Sequence, residues 1–398
     1  MLVGSAARGT WLSEDNDLDI FLGIPIGSDL GKALELAKNV VLEYEEKYAS
    51  HPYIHAKIDG FDVDLVPCYL VDSASELKSA VDRTPFHTRY IVGKIAGLEE
   101  DVLLLKQFMK GIGVYGSELK VGGFSGYLTE LLVLRFGSFP AVLQAAASWR
   151  PGETIDLESH STLQHNDPLV VVDPVDPGRN VAAALTIDKM FQFVAASRCF
   201  LANPSIDFFF PARRQPISDE ELQTILESRN SMPMLLDFQA PAVVEDVLFP
   251  QLHKAEESAK ALLERGGFRT LRSDVCIYGE RAGILLEMEV WKQSKVGKSY
   301  GPPVWEADHL SRFLAAHPQP LSGPYIENGR AVVDLPRSYV TAKELLAAEV
   351  QNLSLGRHLS IAIRSGHNIF VGPELFGIKD MDFRIFLAGY FEARAKMR

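Results

Sequence analysis

The chain opens on a segment, "VGSAARGTWLSEDNDLDIFLG" at residues 3–23, whose end alternates polar and apolar positions. Leu18, Ile20 and Leu22 share one face of a predicted strand, and Asp17 and Asp19 share the opposite face. In "SDLGKALELAKNVVLEYEEKY", Ser28 or Asp29 can cap a helix, and Leu30, Leu34, Ala37, Val41, Tyr44 and Tyr48 follow helical spacing. "YIHAKIDGFDVDLVPCYLV" predicts two strands joined at Asp59-Gly60, a dipeptide suited to a tight hairpin; Phe61, Val63 and Leu65 face one way, Asp62 and Asp64 the other. From about 96 to 210 the pattern turns helical, interrupted by an irregular "VVVDPVDPGRNVAAALT". "PARRQPISDEELQTILESR" then leads as a linker into strand-like "MPMLLDFQAP", "FRTLRSDVCIYG" and "AGILLEMEVW", set around a helix at "EDVLFPQLHKAEESAKALLERGG". The expectation is an α+β multidomain protein divided at 1–95, 96–210 and 211–398.

Composition narrows this only a little. With 398 residues and 47% apolar content the chain can bury ample core. No apolar run reaches the roughly 18 residues of a membrane span, and "MLVGSAARGTW" lacks the apolar stretch of a secretory signal. Cys68, Cys199 and Cys276 lie far apart and fit no metal-ligand spacing, which predicts a reduced, cytoplasmic setting. The net charge of −12 neither demands nor excludes an RNA partner, because total charge is a poor guide to local field.

The chemistry concentrates in the first hundred residues. Two carboxylates side by side in a fold repel each other unless a cation sits between them. Asp17, Asp19 and Asp64, from two strands, are what a two-metal phosphoryl or nucleotidyl transfer site needs, with two Mg²⁺ about 3.5–4 Å apart. Gly4 and Ser5 offer backbone and hydroxyl donors to a triphosphate. By pattern alone, Lys106 and Lys110 form a solvated helical face, Tyr115 is core filler, His87 is a hydrogen-bonded histidine, and "VGGFSGY" supplies glycines for close packing. His51 and His55 raise zinc, but no third ligand follows at a suitable spacing. Arg179, after two Asp-Pro pairs, has the planar fork suited to a base edge and a phosphate together. Arg265, Arg269 and Arg272, and Lys292, Lys295 and Lys298 between Trp291 and Tyr300, are basic clusters suited to following RNA phosphates.

"GSAARGTWLSEDNDLDIFL", "HPYIHAKIDGFDVDLVPCY", "KSAVDRTPFHTRYI", "LLLKQFMKGIGVYGSELKVGGFSGYLTELL", "VVDPVDPGRNVAAAL" and "GPYIENGR" together resemble, in order, the archaeal-type CCA-adding enzymes, tRNA nucleotidyltransferases of the polymerase-β-like superfamily. The resemblance implies a polymerase-β-like head with a mixed sheet, a helical central domain and an α+β C-terminal tRNA-binding domain. It implies Asp17, Asp19 and Asp64 as metal-ligating carboxylates, Asp17 standing where the family often has glutamate. It implies Ser5 and Arg8 on the incoming triphosphate, His87 near the nucleotide, Lys106 and Tyr115 on the phosphates, and Arg179 facing the nucleobase. The partners it implies are CTP, ATP, the acceptor end and TΨC region of tRNA, and a second copy in a homodimer. It also leads us to expect a mainly helical segment ahead of the Gly-Ser pair, which here begins at residue 4. Two other readings stay open. One is a poly(A) polymerase or oligoadenylate synthase sharing the head and the "DP…RN" region; the other is a non-enzymatic RNA-binding protein, against which the intact aspartates argue.

Overall fold

The computed structural model describes residues 1–13, 15–48 and 51–392. The chain divides into two compact units, Met1–Arg213 and Arg214–Ala393.

The first unit begins with a five-stranded sheet. Strand β1 (Leu2–Val3) runs into a single helical turn, α1 (Gly4–Arg8), and the chain returns as β2 (Asp17–Pro25). Helix α2 (Leu30–Lys38) follows, then β3 (Glu45–Tyr48), β4 (Pro52–Ile58) and β5 (Phe61–Leu70), in the spatial order β1-β2-β5-β4-β3. β2 and β5 are parallel and the other pairs antiparallel, so the sheet is mixed. The β4–β5 turn is the expected hairpin: Asp59 and Gly60 both take positive φ, 51° and 87°, as a type I′ turn requires. Leu18, Ile20 and Leu22 pack with Leu34, Ala37, Ile54, Val63 and Leu65 beneath α2, which Asp29 caps by accepting from Gly31 N at 2.9 Å.

The helix predicted to run on to Tyr48 stops at Lys38. Beyond it Val41 still packs on the core beneath α2, but Tyr44 and Tyr48, the next positions of the predicted spacing, are exposed, and 45–48 pairs instead with β4. "EYEEKY" is thus not a helix face. Its charges line a sheet edge, where they discourage further pairing.

Helix α3 (Thr84–Val92) leads to a helical layer of α4 (Glu99–Gly111), α5 (Gly126–Phe136), α6 (Phe139–Ala146) and, later, α7 (Ile187–Ala202). Its core is aromatic. Phe108 lies between 5.4 and 6.3 Å, centroid to centroid, from Phe139, Phe193, Phe200, Phe208 and Phe209, and each fully buried ring, such as Phe108 or Phe193, contributes about 1.5–3 kcal/mol by leaving water. Between α6 and α7 lies a small sheet, β6 (Glu153–Asp156), β7 (Leu169–Asp173) and β8 (Asp176–Asn180), in the order β6-β7-β8. The stretch expected to be irregular is therefore strand–turn–strand. "LVVVD" is buried along its whole length, and a short fully buried strand has no alternation for the eye to catch.

The second unit holds α8 (Asp219–Arg229), β9 (Met232–Gln239), α9 (Glu245–Arg265), β10 (Thr270–Tyr278) and β11 (Arg281–Met288). These are followed by β12 (Val296–Pro303), α10 (Ala307–Ala316), β13 (Ser322–Glu327), β14 (Arg330–Pro336), α11 (Ala342–Glu349), α12 (Arg357–Ser365), β15 (His367–Val371) and α13 (Met381–Glu392). The antiparallel sheet β10-β11-β9-β15 is covered on both faces. Met234, Leu236 and Phe238 enter one core with α9, α11 and α12, while Leu235 enters the other with α8 and α13. That two-sided burial explains the near-continuous apolar strands read from the sequence. Among the described residues no single helix is long and apolar enough to cross a membrane.

Candidate active site

Register, more than sequence spacing, builds the carboxylate site. β2 beside β5 sets Asp17 opposite Asp62 and Asp19 opposite Asp64, and β4 on the far side sets Lys57 opposite Asp62 and His55 opposite Asp64. Side chains opposite one another across neighbouring strands share a face. Two rungs result, Asp17–Asp62–Lys57 and Asp19–Asp64–His55. Burial raises the pKa of Asp19, and Asp64 and Asp17 raise it further against the opposing pull of Arg8. Asp17 is raised the same way, by burial first and then by Asp15, Asp62 and Asp64. His55 Nδ1 lies 2.7 Å from Asp64 Oδ1, so the histidine weighed for zinc braces a carboxylate instead.

Among the described residues no three His, Cys, Asp or Glu side chains stand together as a ready-made metal cage. The donor set still fits a hard divalent cation: neighbouring carboxylates, two of them with pKa values raised by burial first and by their mutual repulsion second. Gly4 packs directly against the side chain of Asp19. Its φ is +73°, and a Cβ there would stand 2.1 Å from Asp19 Oδ2. Gly4→Ala is expected to cost about 1–2 kcal/mol in backbone strain and to push Asp19 aside. A thermal melt should register the first effect and a nucleotide-incorporation assay the second, as a rate at least about tenfold lower.

A second cluster fastens the segment after α1 to the helical layer. Glu130 on α5 is wholly buried; its Oε1 accepts from Arg8 Nε at 3.1 Å and from Thr10 Oγ1 at 2.5 Å. Lys106 donates to Thr10 O at 2.7 Å and lies 3.8 Å from Glu130 Oε1, while Lys110 bonds Asp15 Oδ1 at 2.6 Å. The solvated-face expectation fails for Lys106, whose side chain is 2% exposed. Burial lowers its pKa, and Glu130 opposes the shift. Tyr115 is half-buried, and burial pushes its phenol up. A Cβ on Gly126 would stand 3.1 Å from the Tyr115 hydroxyl and 3.6 Å from Lys106 Nζ, and one on Gly123 would stand 2.0 Å from Val114 O. The glycines of "VGGFSGY" thus make room for side chains and backbone. Ser5 sits half-buried within α1, next to Gly4.

The third cluster gathers around Asp173, at the end of β7. This wholly buried carboxylate meets His87 Nε2 at 2.8 Å, and it accepts from Arg179 Nη1 at 2.8 Å, Tyr127 OH at 3.2 Å and Val175 N at 3.1 Å. Burial pushes its pKa up, but the hydrogen bonds from His87, Val175 and Arg179 outweigh that and leave it lowered. His87 stacks on Tyr127 with centroids 3.9 Å apart, and burial lowers its pKa against the opposing pull of Asp173. Arg179 lies on β8 with its side chain 36% exposed, one edge held and the other open.

The predicted residues therefore fall into three neighbouring groups. Gly4 and the aspartates form one, Arg8, Lys106 and Tyr115 the second, and His87 and Arg179 the third; Arg8 acts electrostatically on Asp19, Lys106 and Tyr115 alike. Sequence reasoning missed Glu130, Asp173, Tyr127 and the bracing role of His55. A lone acid inside or ending an apolar run, as in "YLTELL" and "LVVVD", was the one signal for the first two. In the second unit Arg272 turns inward, its guanidinium 3.8 Å from the Tyr390 ring centroid. That removes it from the expected basic face, because the face of the Tyr390 ring attracts the cation and the Tyr390 carbonyl accepts its hydrogen bond, which together offset the lost hydration. Arg265, Arg269, Lys292, Lys295 and Lys298 remain exposed, with Arg269 paired to Glu289 and Lys298 to Glu327.

A mixed sheet with its carboxylates in register beside a glycine turn is the architecture of a nucleotidyltransferase, and residues 1–87 match the family described as nucleotidyltransferase domain. Residues 100–210 match "tRNA nucleotidyltransferase, second domain", and residues 229–372 match "CCA-adding enzyme, C-terminal domain". The CCA-adding enzyme of Methanosarcina mazei is 47% identical over 97% of this chain and 87% of its own length, and that of Methanosarcina acetivorans is 45% identical over the same shares. The chain belongs to the CCA-adding enzymes, a family of tRNA nucleotidyltransferases that work with divalent metal ions. A solved structure of CdnC with ATP from Escherichia coli, at 20% identity and a TM-score of 0.39, covers 52% of this chain and 79% of that one.

Proposed function

We propose that the protein builds and repairs the 3′-terminal CCA of tRNA from CTP and ATP, with two Mg²⁺ held by Asp17, Asp19 and Asp64. The observation that carries this reading is the carboxylate rung Asp19–Asp64 with Gly4 packed against it, in a chain related to CCA-adding enzymes over nearly its whole length. The bound cations would supply charge neutralisation at the α-phosphate and a lowered pKa for the attacking hydroxyl.

The chain's own residues position the reactants. The tRNA 3′-hydroxyl attacks the α-phosphorus; a new P–O bond forms, the α–β bridging bond breaks, and pyrophosphate leaves. The hydroxyl proton passes to a carboxylate of the rung. Ser5 and Arg8 bind the triphosphate, with Arg8 aimed by Glu130. Lys106 and Tyr115 add to the positive and hydrogen-bonding wall beside it, while His87 and Arg179 face the nucleoside. With little covalent work for the protein, catalysis is orientation and electrostatics.

In this reading 1–95 is the catalytic head, 96–210 the nucleotide-positioning domain, and 211–398 the tRNA-binding region. The exposed Arg265, Arg269, Lys292, Lys295 and Lys298, with Tyr300, follow the acceptor end and TΨC region. The protein works in the cytoplasm as a homodimer.

The test uses purified protein, Mg²⁺, tRNA lacking its last three nucleotides, and labelled CTP or ATP. We expect addition of C, C and A, then a stop, with all addition lost in excess chelator. Runs of A alone would assign the chain to poly(A)-type chemistry, and absence of any incorporation would remove the enzymatic reading.

A further inference from the structure

We propose that Asp173 is a positioning residue that sets nucleotide choice by locking the guanidinium plane of Arg179. The inference rests on the reading above, in which Arg179 faces the nucleobase.

Both oxygens of Asp173 are engaged. Oδ2 meets Arg179 Nη1 and His87 Nε2, each at 2.8 Å, and Oδ1 accepts from Tyr127 OH and Val175 N. The donors come from α3, α5, the turn after β7, and β8, so four pieces of chain fix this carboxylate where a surface acid would swing freely. Its depressed pKa keeps it charged despite complete burial. The stacked His87–Tyr127 pair bonds the same carboxylate and so holds in place the group that Arg179 grips.

The free edge of Arg179 borders a cavity of about 560 Å³ lined also by Arg83, Ser125, His165 and Asp176, ample for a nucleoside. Arg83 is itself tied to Asp176 at 2.8 Å, so this wall too is fixed.

Guanidinium donates and never accepts. Cytosine and adenine share an unprotonated ring nitrogen beside an exocyclic amino group. Uracil and guanine carry a hydrogen on the corresponding ring nitrogen, beside a carbonyl. A donor held at one place therefore favours C and A over U and G, whereas a donor free to swing can move to the carbonyl of U or G and lose that preference. Selectivity thus depends on the lock as much as on the arginine.

The experiment compares kcat/KM for CTP, UTP and GTP on tRNA lacking CCA, in the wild type, Asp173→Asn, Arg179→Ala and the double variant, with a melt of each. The asparagine keeps the shape but puts an amide donor among donors and frees Arg179. We expect the CTP/UTP and CTP/GTP ratios to fall at least tenfold in each single variant, and the double variant to be no worse than Arg179→Ala. If Arg179→Ala lowers the ratios and a folded Asp173→Asn leaves them intact, the lock is refuted and the reading of Arg179 stands. If Arg179→Ala leaves them intact while CCA is still added, the reading of Arg179 fails, and this inference fails with it. Should Asp173→Asn not fold, Arg179→Lys replaces it. Lysine keeps the charge but cannot grip Asp173 and a base edge together, so retained ratios in that variant overturn the proposal.

Discussion

Asp19→Ala is expected to lower nucleotide addition by about a thousandfold or more, equivalent to about 4 kcal/mol of transition-state stabilisation, while tRNA is still bound. Asp19 stands opposite Asp64 in the parallel β2–β5 pair and touches the space a Gly4 side chain would need, so no neighbouring carboxylate can take its place. The fold should tolerate the change. Asp19 lies among Asp17 and Asp64, which raise its pKa on top of burial, and deleting one of several clustered anions relieves repulsion. Without divalent cations the melting temperature should hold or rise. Incorporation, tRNA gel shift and a melt on the same preparation decide the matter. Loss of activity together with tRNA binding and stability would point to damaged folding and remove the catalytic assignment.

Glu130→Ala should be the most destabilising single change in the first unit. It strands Arg8 and Lys106, two cations held inside by one carboxylate, and breaking a buried pair from one side costs about 3–5 kcal/mol. The buried Thr10 hydroxyl loses its acceptor as well. Glu130→Gln, which can still accept from Arg8 and Thr10, should fall between wild type and alanine. Hydrogen–deuterium exchange across Gly126–Phe136 and residues 8–13 would show the loss directly. A change under about 1 kcal/mol would mean the charges find water, and the seam is looser than its distances indicate.

What could be read from the sequence was whatever short-range geometry dictates. The alternation at 17–22 and the Asp59-Gly60 turn each carry their structure within a few residues, so β2 and the β4–β5 hairpin were legible, and with them the aspartate face. Long-range pairing was not. The spacing from Val41 to Tyr48 fits a helix until β4 offers 45–48 a partner. Lys106 is solvated by every local rule until a backbone oxygen 96 positions earlier and an acid 24 positions later enclose it. Asp173 is one acid ending an apolar run until three helical and strand elements converge on it. Motif resemblance named His87 and Arg179 but not the carboxylate joining them, because a motif records which residues recur and says nothing of which atom holds which.

The outermost strand of the head sheet has a further consequence. Glu45, Glu46 and Lys47 on β3 present a fringe of charge, with Glu46 tied to Lys38 at 3.0 Å, to any extended chain that approaches from outside. A guest strand docking there would have to strip water from those groups, with the exposed Tyr48 as its one apolar contact on the strand. The strand's own charge therefore opposes extension of the head sheet past β3, which makes that edge a poor template for a further strand.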